Sequence, residues 1–236
     1  MRRKVIVVTG ALGALGKVVA ETALSRGARV AGINHALSQI PASAEHIELG
    51  GVDLSDEAQA KKAIDTAARH FGGLDALINI AGGFAFETVG DGDANTWQHK
   101  TWQHKTWQRM YALNVLTALN ASRAALVYLA ASKAGRIINI GAMGGLQASA
   151  GMGPYSASKA AVHRFTEALA NEYKGRITVN AVLPSIIDTE ANRASMPDQD
   201  FSKWVTPQEL AEVILFLASD AASAVTGALI PVSGRV

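Results

Sequence analysis

Short, continuously apolar runs alternate along the chain with longer amphipathic stretches. Runs rich in Val, Ile and Leu at 4–9, 29–34, 46–52, 76–80, 136–141, 178–183 and 228–232 each predict a strand. Between them, 14–26, 56–71, 107–131, 155–173 and 206–218 carry helical spacing. The strand candidates do not alternate polar with apolar, so they read as parallel strands covered on both faces. Strand alternating with helix predicts an α/β fold, a doubly wound parallel sheet of about seven strands with right-handed crossovers. Such a sheet binds its ligand beyond the strands' carboxyl ends, where the strand order reverses. No Pro/Ser-rich linker interrupts the pattern, so residues 1–236 read as a single domain.

The helix ends carry matching punctuation. Ser55-Asp56-Glu57 offers a cap and negative charge at a helix start. Thr206-Pro207-Gln208-Glu209 has the form of a capping box with Pro in the first turn. Arg26-Gly27 and Lys174-Gly175 read as basic last turns closed by glycine. At the start, Met1-Arg2-Arg3-Lys4 before Val5–Val8 resembles a secretion leader. The apolar run breaks at Thr9-Gly10, however, and reads better as a first strand entering a turn. No window of about 20 uninterrupted apolar residues predicts a membrane span.

Composition narrows the chemistry. Hydrophobic residues make up 49% and charged residues 18%, enough for a large core and too little charge for disorder. Net charge is +2 with no basic block, so no nucleic-acid footprint is expected. There are no cysteines, which excludes disulfides, thiolate metal sites and a cysteine nucleophile, and fits a cytoplasmic, reducing setting. Thr96–Lys100 and Thr101–Lys105 are identical, and Thr106–Met110 is a near copy. A five-residue step turns a helix by about 140°, so Trp97, Trp102 and Trp107 do not share a face. The segment reads as a local ten-residue duplication. His99 and His104 have poor ligand spacing and no evident third partner, so no metal site is expected.

Two segments carry candidate chemistry. The first strand runs into Thr9-Gly10-Ala11-Leu12-Gly13-Ala14-Leu15-Gly16, and a helix follows. Glycines there let backbone approach a pyrophosphate, and the helix N-terminus offers free N–H groups. The second strand ends at Ile33-Asn34-His35. An acid there would favour NAD and a base NADP; Asn34 is neither, and His35 helps a phosphate only when protonated, so the choice stays open. Further on, Tyr155 and Lys159 stand four apart at a helix start, on one face. An ammonium about 4 Å from the phenol would lower its pKa by up to about three units and make it a usable acid–base group.

The ordered set resembles the short-chain dehydrogenase/reductase family over the whole chain. The turn at 9–16 is similar to the family's Thr-Gly-x-x-x-Gly-x-Gly, with Ala14 at the middle glycine. Asp53-Leu54, Asn79-Ile80-Ala81-Gly82, Asn114, Tyr155, Lys159 and Asn180–Thr189 resemble its further motifs, with Ile80 for an Asn and Ser185 for a Gly. The resemblance implies a Rossmann-type fold, an NAD or NADP cofactor, a small-molecule substrate and a homodimer or homotetramer built through the helices at 107–131 and 155–173. It assigns catalysis to Tyr155, Lys159 and Asn114, the last holding a water. It assigns cofactor contacts to Gly10, Leu12, Gly13, Ala14, Leu15, Gly16, Asn34, His35, Asp53, Leu54, Asn79, Ala81, Gly82 and Lys159, and to Pro184, Ile187 and Thr189 on the nicotinamide side. Asn79 and Asn114 are 35 positions apart; without the duplication the interval is 25, close to the family's, so the extra residues should extend or bulge before the helix and spare the site.

The family's Ser, thirteen residues before the Tyr, is here Ala142. Losing such a donor costs about 2.7–4 kcal/mol in comparable acyl-transfer sites; Gln147 and Ser149 are nearby in sequence and could replace it. A closer likeness accounts for the gap. Asp188–Trp204, Gly13–Gly16, Ala81–Gly83 and Gly151–Tyr155 resemble quinonoid dihydropteridine reductases, which also lack the Ser. Substrate-side candidates are Met143, Gln147, Met152, Asn192, Met196 and Trp204, with core packing as the competing role for the Met and Trp residues. Two other readings remain open: an ordinary ketone or alcohol (for example 3-oxoacyl) reductase, and a non-catalytic NAD(P)-binding sensor or scaffold.

Overall fold

The computed structural model describes residues 1–90 and 105–236. Seven strands form one all-parallel sheet: β1 (Val5–Thr9), β2 (Arg29–Ile33), β3 (His46–Leu49), β4 (Ala76–Asn79), β5 (Gly135–Ile140), β6 (Ile177–Pro184) and β7 (Leu229–Val232). The order is β3-β2-β1-β4-β5-β6-β7, so it reverses between β1 and β4. Register places Thr9 beside both Ile33 and Asn79, which aligns the carboxyl ends of the three central strands.

The two sheet faces bury separate cores. Ile6, Val8 and Val30 pack under α1 (Ala14–Ser25) and α7 (Pro207–Ala218). Val5, Val7, Ile33, Leu77 and Ile137 pack under α2 (Glu57–Phe71), α4 (Thr117–Ala131) and α5 (Gly153–Glu172). Continuous apolar strands are what two covered faces require.

Helix α3 (Lys105–Tyr111) joins α4 through a π-helical turn at Ala112–Leu116. The long helix is thus already formed at Lys105, two residues before the expected Trp107, and most of the repeat lies outside the described residues. By length and composition Lys105–Ala131 could cross a membrane, but half of its most apolar window is buried inside the fold, the burial of a core helix.

Several boundaries differ from the sequence reading. β3 ends at Leu49, not Val52, because Gly50-Gly51 follows and Gly51 takes φ +72°. Asp56 is the cap of α2, accepting from the Gln59 amide, so the helix starts one residue later than predicted. The capping box at Thr206 forms as expected. A short helix, α6 (Glu190–Ser195), capped by Thr189, was not expected.

Candidate active site and cofactor cleft

The turn after β1 requires glycine at two places. Gly10 has φ +69°, and a Cβ there would lie 3.1 Å from the Ala81 backbone. A Cβ at Gly16 would overlap the Gly10 carbonyl. Thr9 Oγ1 accepts from the amides of Ile80 (3.0 Å) and Ala81 (3.1 Å), tying the loop after β4 to the turn. Helix α1 starts at Ala14, so alanine is tolerated at the middle glycine position. It has no side-chain cap and no acidic residue in its first turn. Its N–H groups open onto a cleft of about 360 Å³ between this turn, Asn34–Ala36 and Ile80–Gly82. A cradle that excludes Cβ atoms, beside an uncapped helix N-terminus, suits the phosphates of a dinucleotide. Gly10, Leu12, Gly13, Ala14, Leu15, Gly16, Asn34, His35, Ala81 and Gly82 all line it.

The other cofactor candidates lie off this lining. Asp53 accepts from the amide (2.9 Å) and hydroxyl (2.7 Å) of Ser55, which holds its carboxyl below the usual range. The side chain of Leu54 belongs to the core, and its carbonyl accepts from Asn120. Asn79 is buried within the fold, donating to Ser122 and Asn139. Pro184 is buried at the end of β6. Thr189 caps α6, accepting from the Asn192 amide, and Asn192 Nδ2 donates to the Ile187 carbonyl at 2.8 Å. Trp204 is corrected from a substrate contact to core: it is 2% exposed and packs on Phe201 at 4.8 Å. Met196 is half-buried after α6.

The catalytic candidates converge at the other side of the switch point. β5 delivers Gly141 and Ala142 opposite the start of α5, which carries Tyr155 and Lys159. Lys159 Nζ donates to the Ile140 carbonyl at 2.8 Å and lies 5.9 Å from the Tyr155 ring centroid. Burial pushes the Tyr155 phenol up to about 12 and the Lys159 ammonium down to about 8. The direction is opposite to the expected lowering of the phenol, and burial is its cause. Tyr155 is therefore protonated at neutral pH and stands as a proton donor.

Asn114 sits in the π-helical turn, which displaces it from regular helix. Its Oδ1 accepts from Gly83 N (3.0 Å), and its Nδ2 donates to Gly83 O (3.0 Å) and Ser158 Oγ (2.9 Å). The side chain thus clamps the β4 loop to α5. The repeat expected to extend or bulge before this helix lies mostly at 91–104, outside the described residues.

At the serine position, Ala142 is 6% exposed. Gln147 and Ser149 are exposed on the following loop, and among the described residues no side-chain hydrogen bond aims them inward. Ser156 has a buried hydroxyl without a partner among the described residues, and it lies against Gly144, closed off from solvent. Gly144 lies against both the Met152 methyl and the Tyr155 ring, and Met143 is half-buried at the start of the intervening turn.

The structure adds residues that sequence reading missed. Phe84 stands edge-on to Tyr155 at 5.0 Å and is 56% exposed, so it offers an aromatic edge beside the phenol. His163 fills the space over Gly141 and Gly145, and its Nε2 accepts from Ala142 N at 3.3 Å. Burial lowers its pKa to about 4, so it is neutral and props the Ala142 turn without adding charge. Its place four residues after Lys159, on the same helix face, was the available signal.

A parallel sheet with a glycine-lined phosphate cradle and a Tyr/Lys pair at its switch point defines a nucleotide-dependent oxidoreductase. Residues 4–200 match the short chain dehydrogenase family profile. The chain is 32% identical to a 2-(S)-hydroxypropyl-CoM dehydrogenase of Xanthobacter autotrophicus, over 99% of this chain and 96% of that one. It is 30% identical to the 3-oxoacyl-(acyl-carrier-protein) reductase FabG of Salmonella typhimurium, over 98% and 96%. The ligand-free aldohexose dehydrogenase of Thermoplasma acidophilum superposes with a TM-score of 0.84 at 26% identity, over 99% and 94%. The chain belongs to the short-chain dehydrogenase/reductase family and is an NAD(P)-dependent oxidoreductase.

Proposed function

We propose that this enzyme reduces a conjugated, quinonoid ring of the dihydropterin type, with Tyr155 delivering the proton. The observation that carries the reading is Ala142. A ketone reductase needs a donor on the carbonyl oxygen as charge develops there. This site has a buried methyl in that place, propped by a neutral His163. A quinonoid ring spreads the incoming electrons over its own conjugated system and needs that donor less. Phe84 beside Tyr155 offers a face or edge for such a ring. When bound in the cleft, the reduced nicotinamide supplies the hydride. Tyr155 supplies the proton and is left as a phenolate beside the Lys159 ammonium, which stabilises it until solvent restores the proton. Asn114 fixes the loop that carries Phe84.

The test is an acceptor panel read by NADH and NADPH oxidation. Quinonoid dihydropterin should turn over at least about a hundredfold faster, in kcat/KM, than 3-oxo thioesters or simple ketones. The second reading, an ordinary ketone or alcohol substrate, is favoured by the names of the relatives. It predicts the reverse order. Ala142→Ser separates them further: the hydroxyl should raise ketone reduction and leave dihydropterin reduction within about threefold.

We further infer a homo-oligomer in the cytoplasm. Val127 on α4 is 68% exposed on the helix surface through which the family resemblance places association. Light scattering that shows a monomer at all concentrations would contradict this.

A further inference from the structure

β3 contributes to the cofactor cleft a charge that its own sequence hides. Its short run, His46-Ile-Glu-Leu49, alternates polar and apolar residues like an exposed edge. Yet the Glu48 side chain is 3% exposed. It lies across Gly32 of β2, where a Cβ would overlap its carboxylate. Glu48 Oε1 is 2.9 Å from His46 Nε2, and Oε2 accepts from Asn34 Nδ2 at 2.5 Å. Asn34 is 3% exposed, and its Oδ1 accepts from the Leu12 amide in the glycine turn at 2.8 Å. The Leu12 amide can only donate and an ionised Glu48 can only accept, so the Asn34 amide has one permitted orientation. A buried carboxylate therefore stands directly behind the residue that closes the cleft at the end of β2.

We propose that Glu48, acting through Asn34, makes this enzyme select NAD(H) over NADP(H). Asn34 has one N–H and one oxygen lone pair beyond this network. That pair of valences suits a ribose hydroxyl, which both donates and accepts. A ribose phosphate brings negative charge toward Glu48, whose paired His46 offsets that charge only when protonated. No Lys or Arg occurs between Arg29 and Lys61, and the turn at 10–16 carries no cation. His35 lines the cleft and interacts with Asp53 close by. The His35 imidazole adds charge for the phosphate only when protonated. Glu48 is a positioning residue: it touches Asn34, and it acts on the cofactor by charge and by fixing the amide.

The proposal rests on the cleft being the cofactor site. It is tested by titrating NADH and NADPH separately into the protein at pH 8, where an unperturbed imidazole is neutral, following the cofactor's own fluorescence. Wild type should bind NADH at least about tenfold more tightly. Glu48→Gln keeps an acceptor for Asn34 and removes the charge. It should move the NADPH-to-NADH affinity ratio about tenfold toward NADPH, the scale of one partly screened charge near a phosphate, while NADH affinity changes less than about threefold. Glu48→Met, uncharged and of similar length, repeats the test if the Gln variant does not fold. Equal wild-type affinities, or a variant that weakens both dinucleotides alike, would overturn the proposal. Failure of wild type to bind either would instead remove the reading of the cleft, and the proposal with it.

Discussion

Asn114→Ala should loosen the site more than it loosens the fold. The side chain makes three hydrogen bonds to nitrogen and oxygen partners, to Gly83 N, Gly83 O and Ser158 Oγ, between 2.9 and 3.0 Å. It is 2% exposed, so water does not readily replace them. Each such bond contributes about 0.5–1.5 kcal/mol, and a buried group left unpaired costs about 1–3 kcal/mol. Ser158 keeps its bond to the Tyr155 carbonyl at 2.7 Å, so the main loss falls on Gly83. The sum is about 2–4 kcal/mol in urea unfolding, with an unchanged m value if the native state stays compact. Because Gly83 precedes Phe84 and follows Gly82 in the cleft, kcat/KM should fall by at least about tenfold while cofactor affinity changes less. A destabilisation under about 0.5 kcal/mol, or full activity in the variant, would refute the clamp.

Three further outcomes follow from the geometry. Gly16→Ala forces a methyl against the Gly10 carbonyl; overpacking of this kind costs about 1–3 kcal/mol, and NADH affinity measured by fluorescence titration should drop about tenfold or more. Glu209 is held down to about 2 by the Thr206 amide and hydroxyl and by Arg235. A depressed carboxyl contributes stability above its unfolded pKa, so Glu209→Gln should lower Tm at pH 7, and the gap should close as pH falls from about 4.5 toward 2; a pH-independent gap would contradict this. Lys159, lowered to about 8 by burial, holds fewer protons folded than unfolded between pH 8 and 10.5. Its contribution to stability should therefore rise with pH across that window, and Lys159→Met should flatten that rise in a pH series of thermal unfolding curves.

Much of the fold was legible because the central strands are apolar on both faces. β1, β2 and β4 could be read from Val, Ile and Leu runs, and the glycine turn from its place after the first of them. The edges were less legible. β3 is bounded by glycine geometry, and the burial of its Glu48 depends on Gly32 one strand away, which no local pattern reports. The Tyr155/Lys159 pair was visible, but the direction of its pKa shifts was not. A sequence gives the spacing of two charges and leaves out the desolvation that decides the sign. Trp204 could be read as a substrate contact or as core, and it is core, because the 188–204 segment folds back so that Ile187 bridges Val205. Asn114 was found by motif, while its clamp on Gly83 needs the π-helical turn that turns it toward the loop.

The central claim is that Tyr155 delivers the proton to a ring acceptor that needs no hydroxyl at position 142. It is tested most directly by single-turnover stopped flow of NADH oxidation with quinonoid dihydropterin, comparing wild type with Tyr155→Phe. The account predicts rapid wild-type turnover and a loss of about 10²–10⁴-fold in the variant, with NADH affinity retained. Wild-type protein that binds NADH but does not oxidise it with this acceptor, or a Phe variant as fast as wild type, would contradict it.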